Sequence, residues 1–176
     1  MAGAEKPPNL LASSQPDYRA YFLERLDGMR SSHFQKPDAF LRDGSHIHVA
    51  SLAAASEVRA WQWTQDQQYA NRALERLRLI AAKADAIREA DFFTPYPLSF
   101  AYQGLASGRM VDDGLREAMV RFVTKRFVPR DFTGLNNQTL VRACGLALAA
   151  QVWPELEPSA KWRDYARTIC GLLEQV

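Results

Sequence analysis

The chain has 176 residues, 47% hydrophobic and 24% charged, a composition that fits one globular domain or part of a larger one and argues against intrinsic disorder. Lys and Arg number 22 against 20 Asp and Glu, a formal net charge of +2, which disfavours the broad basic face that carries nucleic acid. The longest apolar stretch, Gly145 to Trp153, is interrupted by Gln151 and falls well short of the roughly 20 residues of a bilayer span, so no membrane association is expected.

The N-terminal residues Met1 to Pro8 lack the apolar run of a secretory signal. Either the chain is cytosolic or a signal precedes this numbering, which leaves the compartment open. Cys144 and Cys170 do not make a disulfide framework and have no close Cys or His partner of zinc-site spacing; both are expected as core thiols. No metal and no cofactor is implied.

Residues 1–15, with Pro7, Pro8, Ser13 and Ser14 and no apolar period, read as a flexible arm. The remainder, 16–176, reads as one helical domain, because apolar residues recur at steps of three and four and no stretch alternates long enough for a strand. The first helix is predicted from about Asp17 to Met29, with Asp17 as cap. Ser45 is placed to cap a second helix from about His46 to Trp63, Ala-rich and largely uncharged. Tyr69, Ala73, Leu77, Ile80, Ala84 and Ile87 then trace the apolar stripe of a third, half-wet helix.

The pattern recurs twice. An uncharged segment, Leu98 to Ser107, precedes an amphipathic helix from about Val111 to Phe127. Asn136 to Trp153, with Arg142 as its single charge, precedes Ser159 to Glu174, which buries Trp162, Tyr165, Ala166, Ile169 and Leu173. A helix apolar all round must be covered all round, whereas its amphipathic successor faces water. Three dry-then-wet hairpins, at intervals of about 52 and 38 residues, therefore predict an all-α fold with inner and outer helix layers, an incomplete α/α toroid.

In such a fold the inner helices run in one direction and their N-termini gather at one end, where unpaired N–H groups favour anions. That end receives Ser45, His46 and His48, then Tyr96, Ser99 and Tyr102, then Asn136, Asn137, Gln138 and Arg142. Gln138 and Arg142 are four apart, on one helix face, and can present an amide and a guanidinium together.

These segments also carry a resemblance. Thr64-Gln65-Asp66-Gln67-Gln68-Tyr69-Ala70-Asn71-Arg72-Ala73 is similar to a Thr-Gly-Asp-x-x-Tyr-Ala-x-x-Ala turn and helix start. Ala101-Tyr102-Gln103 resembles an Ala-Tyr-Asp segment, Asn136-Asn137-Gln138 resembles Asn-Asn-His, and Trp153-Pro154-Glu155-Leu156 with Trp162 resembles the following helix pair. In this order they resemble the helical domain of heparinase II/III-like and alginate polysaccharide lyases, from about Trp63 onward.

The resemblance implies β-elimination on a uronic-acid polysaccharide, with an acidic glycan as partner and a periplasmic or secreted location; a cytoplasmic one is not excluded. Asn137 aligns with the amide that neutralises the sugar carboxylate, and Gln138 stands where the family has His, so both are candidate catalytic positions. Asn136, Arg142, Tyr102, His48, His46 and Tyr96 are candidate substrate-binding residues. The family's catalytic Tyr follows the Asn motif by more residues than remain before Val176, so catalysis is expected to need a further C-terminal domain or chain. The alternatives are a non-catalytic glycan- or protein-binding module, or an inactive piece of a lyase.

Structural roles compete at each position. Asn136 and Asn137 suit helix capping. His46 and His48, about 200° apart on a helix, do not suit a shared metal. Tyr102 suits the core as well as a cleft, and Arg142 needs a partner if buried, whether structural or a substrate carboxylate.

Overall fold

The computed structural model describes residues 17–29, 47–85, 90–130 and 136–173. These form seven helices and no strands among the described residues: α1 (Tyr18–Met29), α2 (Ile47–Thr64), α3 (Gln67–Ala82), α4 (Pro95–Ser107), α5 (Asp113–Arg126), α6 (Asn137–Val152) and α7 (Ser159–Leu173). The expected all-α class holds. The N-terminal arm, Ser45, His46 and Ile87 lie outside the described residues.

Local chemistry sets the boundaries. Asp66 caps α3 by accepting from the Gln68 N–H at 2.9 Å, and Asp112 caps α5 by accepting from Leu115 at 2.7 Å. Helix α4 begins three residues before the predicted Leu98, because Pro95 occupies a first-turn position where no N–H is needed. Helix α3 stops at Ala82, short of the predicted stripe; Ala84 lies in a turn.

Helices α2, α4 and α6 form a continuous row, α2 against α4 and α4 against α6. Helix α3 returns along α2, and α7 along α6. The middle pair departs from the predicted hairpin: α5 packs on α3 and makes no comparable contact with α4. Leu115, Met119, Phe122 and Val123 of α5 are buried in the main core, and at the surface the other oxygen of the Asp112 cap accepts from Arg78 of α3 at 2.8 Å. The Leu115 N–H first, and then Arg78, hold the Asp112 carboxyl below its ordinary range. That contribution is present at neutral pH and is lost as pH falls through the lowered value.

The row is tight because its contacts are small. Helix α2 turns Ala50, Ala53, Ala54 and Ala60 inward. At Gly104 of α4 an added Cβ would lie 2.4 Å from Val58 Cγ1, and at Gly145 of α6 it would lie 2.7 Å from the Tyr96 backbone nitrogen and 2.8 Å from Pro95 Cβ. The row encloses the main core, with Leu98, Leu105, Leu146, Trp153 and, from the flanking helices, Leu77, Phe122 and Trp162.

One buried charge cluster joins α2 to α3. Glu57, 1% exposed, accepts from Arg76 Nε at 2.9 Å and Arg72 Nε at 3.2 Å. Its removal would leave the buried Arg76 short of its carboxylate, a change that costs about 3–5 kcal/mol in comparable buried pairs.

Two expectations are corrected. The dry helices are not covered on every side: α2 exposes Leu52 and Trp63, and α4 exposes Tyr96. Cys144 and Cys170 are exposed, because each lies about 100° round its helix from a buried neighbour, Ala143 and Ile169 respectively.

The Gly145 contact yields a stability prediction. Gly145→Ala should destabilise the fold by about 1–3 kcal/mol, the cost of overpacking, because the obstructing atoms belong to the first turn of α4 and not to a flexible side-chain end. Urea unfolding of the two proteins measures this.

Candidate functional site

The segment before α4 is organised by Asp91. Its Oδ1 accepts from the N–H groups of Phe93 (2.9 Å) and Thr94 (3.0 Å) and from Thr94 Oγ1 (2.9 Å), while Oδ2 pairs with His48 Nδ1 at 2.6 Å. One carboxylate thus fixes the entry to α4 and ties it to the first turn of α2. Between Asp91 and Phe93 lies Phe92, whose ring is tilted 45° against that of Phe93 with centroids 4.2 Å apart.

Phe92 forms one wall of a pocket of about 160 Å³ at the N-terminus of α6, lined also by Arg130, Asn136, Gln138, Thr139, Arg142 and Tyr165. Asn136 is the cap of α6: its Oδ1 accepts from Thr139 N at 2.9 Å and Thr139 Oγ1 at 3.1 Å. Arg142, only 4% exposed, donates from Nη1 to the Val128 carbonyl at 3.0 Å. The adjacent Phe127 carbonyl accepts from Trp162 Nε1 at 2.7 Å. Two buried side-chain donors, one from α6 and one from α7, therefore suspend the segment that ends in Arg130.

The structure gathers three of the residues expected from sequence, Asn136, Gln138 and Arg142, in this pocket. Asn137 is exposed at the first position of α6 and is not among the lining residues. Tyr102 lies in the core, 6% exposed and 4.9 Å from the Trp153 ring. His48 is half-buried against Asp91. Tyr96 lines a separate, mostly apolar groove of about 240 Å³ with Phe22, Leu52, Arg59, Pro97 and Phe100. His46 lies outside the described residues.

Sequence reading missed Arg130 and Tyr165. Arg130 belongs to a segment with no periodicity, and Tyr165 sits on the apolar stripe of α7 that predicts burial. The signal that finds Tyr165 is the antiparallel return of α7 along α6, which brings the middle of α7 toward the first turns of α6.

Chemically, the pocket sets two guanidinium groups, two side-chain amides and two hydroxyls beside an aromatic wall. Such a set suits a carboxylate carried on a hydroxylated, partly apolar ring. Among the described residues no three His, Cys, Asp or Glu side chains group to hold a metal ion, and no helix is long and apolar enough to cross a membrane. Comparison with protein-family models, with curated proteins and with solved structures gives no match.

The cap and the pocket share Asn136. Replacement by Ala should cost about 1 kcal/mol, as loss of an Asn cap does, whereas Asn136→Asp, which keeps the acceptor, should retain most of that stability. Paired denaturant titrations compare the two.

Proposed function

We propose that the chain is an α/α-toroid domain of the polysaccharide lyase kind, with α2, α4 and α6 as its inner helices, acting on a uronic-acid-containing glycan. The observation that carries the reading is the pocket at the α6 N-terminus, where Arg130, Arg142, Asn136 and Gln138 surround a space suited to a sugar carboxylate.

The resembling segments support the same reading through the fold. In Thr64-Gln65-Asp66, Gln65 has φ 60°, a left-handed conformation that favours Gly, and Gly is what the lyase pattern writes there. Asp66 supplies the cap, and Tyr69, Ala70 and Ala73 of the same motif are buried.

In the reaction, neutralising the carboxylate makes the C5 proton acidic. The Tyr165 oxygen, as phenolate, takes that proton; the electron pair left on C5 forms the C4–C5 double bond as the bond from C4 to the glycosidic oxygen breaks, and the Tyr165 hydroxyl so formed passes its proton to that oxygen. Tyr165 is the pocket side chain whose hydroxyl suits proton transfer. The amides and guanidinium groups serve binding and neutralisation.

A second reading, a glycan-binding module without turnover, is favoured by the composition of the same lining, in which Tyr165 is the one side chain of ordinary acid–base chemistry. Incubation with alginate-type and glycosaminoglycan-type oligosaccharides separates the two. Growth of the ultraviolet absorbance of an unsaturated uronide is expected from a lyase. Calorimetric binding without that absorbance supports the module, and neither signal overturns both. In either case Gln138→Ala should weaken binding by roughly twofold to tenfold, the worth of one hydrogen bond; unchanged affinity would remove Gln138 from the site.

A further inference from the structure

The groove of about 240 Å³ between α1, α2 and α4 shares no residue with the pocket at the α6 N-terminus. Its base is the half-buried Ala55 and Ser56 of α2 and the buried Pro97 of α4, while Leu52 and Tyr96 stand exposed at its rim. Phe22 of α1 and Phe100 of α4 add ring walls. In this mostly apolar lining there is one charge, the exposed Arg59.

Among the described residues the Arg59 guanidinium has no carboxylate and no hydrogen-bond acceptor. It lies instead over two rings, 4.7 Å from the centroid of Phe100 and 5.9 Å from that of Trp63. Trp63 in turn meets the Phe22 ring edge to face, with centroids 5.3 Å apart. Aromatic faces attract the cation and hold it in place, but they take none of its N–H donors. Those donors lie in the plane of the group and pair with a carboxylate two at a time.

We propose that this groove binds a small carboxylate built on a single apolar ring, with the ring between Leu52, Tyr96 and Phe100 and the carboxylate on Arg59. Charge complementarity selects the anion, because a lone cation in an apolar groove favours a ligand with an apolar body and one anionic end. Size selects one ring, since a cavity of about 150 Å³ accommodates benzene and this groove has room for a short arm besides. Leu52 and Arg59 are seven residues apart on α2, roughly 10 Å along the helix, a span that a ring and a short arm fill. A uronate does not suit the groove, because its hydroxyls would find Ser56 and the Tyr96 hydroxyl and would otherwise lose water without replacement.

The test is a proton–nitrogen correlation NMR titration of the full chain with four probes: phenylpropionate; phenylpropanol, which keeps the body and removes the charge; acetate, which keeps only the charge; and the blocked dipeptide N-acetyl-phenylalanyl-glutamate amide. Phenylpropionate is expected to move the amides of residues 52–59 and 96–100, with a dissociation constant on the order of 1 mM for a ligand of this size. The alcohol should bind roughly tenfold more weakly, the worth of a partly exposed charge-assisted contact, and acetate should leave these amides unmoved. Arg59→Gln should bring the acid down to the affinity of the alcohol. Ser56→Leu, which fills the base and leaves Arg59 in place, should abolish binding of both, with melting curves showing that each variant is folded.

Equal affinity for acid and alcohol, or an acid preference that survives Arg59→Gln, overturns the assignment. So does acetate binding at these amides as tightly as the ring acid. Shifts of the same amides on dilution of the protein alone would mean that a second copy fills the groove, and tighter binding of the dipeptide than of phenylpropionate would give the groove to a peptide segment; either result overturns the free acid. If no probe moves residues 52–59 and 96–100, the groove is not a site, and the reading of the α6 pocket is untouched.

Discussion

The architecture depends on how closely α4 sits between α2 and α6. At Gly104 and Gly145 a single added carbon would meet Val58 on one side or overlap the first turn of α4 on the other. Close packing at this spacing is intolerant of added volume, so these two glycines set where α4 begins relative to its neighbours. The consequence is functional as well as structural. With the first turn of α4 held against the middle of α6, the segment before it reaches the α6 N-terminus, and Phe92 arrives beside Asn136, Gln138 and Thr139.

Polar interactions then fix what close packing leaves adjustable. Asp91 accepts four hydrogen bonds, three from its own turn and one from His48, so the entry to α4 is tied to α2 as well as to α6. On the far side of the pocket the Phe127 and Val128 carbonyls hang from Trp162 and Arg142. A buried donor lost from such an arrangement leaves an unsatisfied acceptor, a penalty that typically exceeds the net worth of the bond itself. The pocket wall is therefore fixed where it meets the core.

Much of the fold was legible in the sequence because it rests on periodicity and caps. The stripe from Tyr69 through Ile80, the Asn136 cap and the low charge content of α2, α4 and α6 are local signals, and each helix lies within a few residues of its predicted span. The partnership of α5 was not legible, since it follows from the tertiary packing of Leu115, Met119, Phe122 and Val123 in the main core, which no spacing assigns to one neighbouring helix; the exposed Arg78–Asp112 pair only adds to it. Burial of the cysteines was misjudged because neither faces the core: Cys144 lies on an uncovered side of the largely uncharged α6, and Cys170 on the wet side of the amphipathic α7.

The site was legible in part. Gln138 and Arg142 share a face at a spacing of four, and the pocket contains both. Asn136 turned out to be the cap, which accounts for its place in the motif by local chemistry alone, and Tyr102 is accounted for by its contact with Trp153. Arg130 and Tyr165 reach the pocket only through the suspension of the 127–130 segment and the return of α7, and both lie beyond the reach of local pattern.

The central claim, a carboxylate site at the α6 N-terminus, is tested most directly by a crystal structure of the protein with a bound uronate oligosaccharide. The account predicts the sugar carboxylate within hydrogen-bond reach of Arg130, with Gln138 on the same ring and Phe92 against its apolar face. A carboxylate seated instead in the groove of Arg59, Tyr96 and Phe100, with the α6 pocket empty, would contradict it.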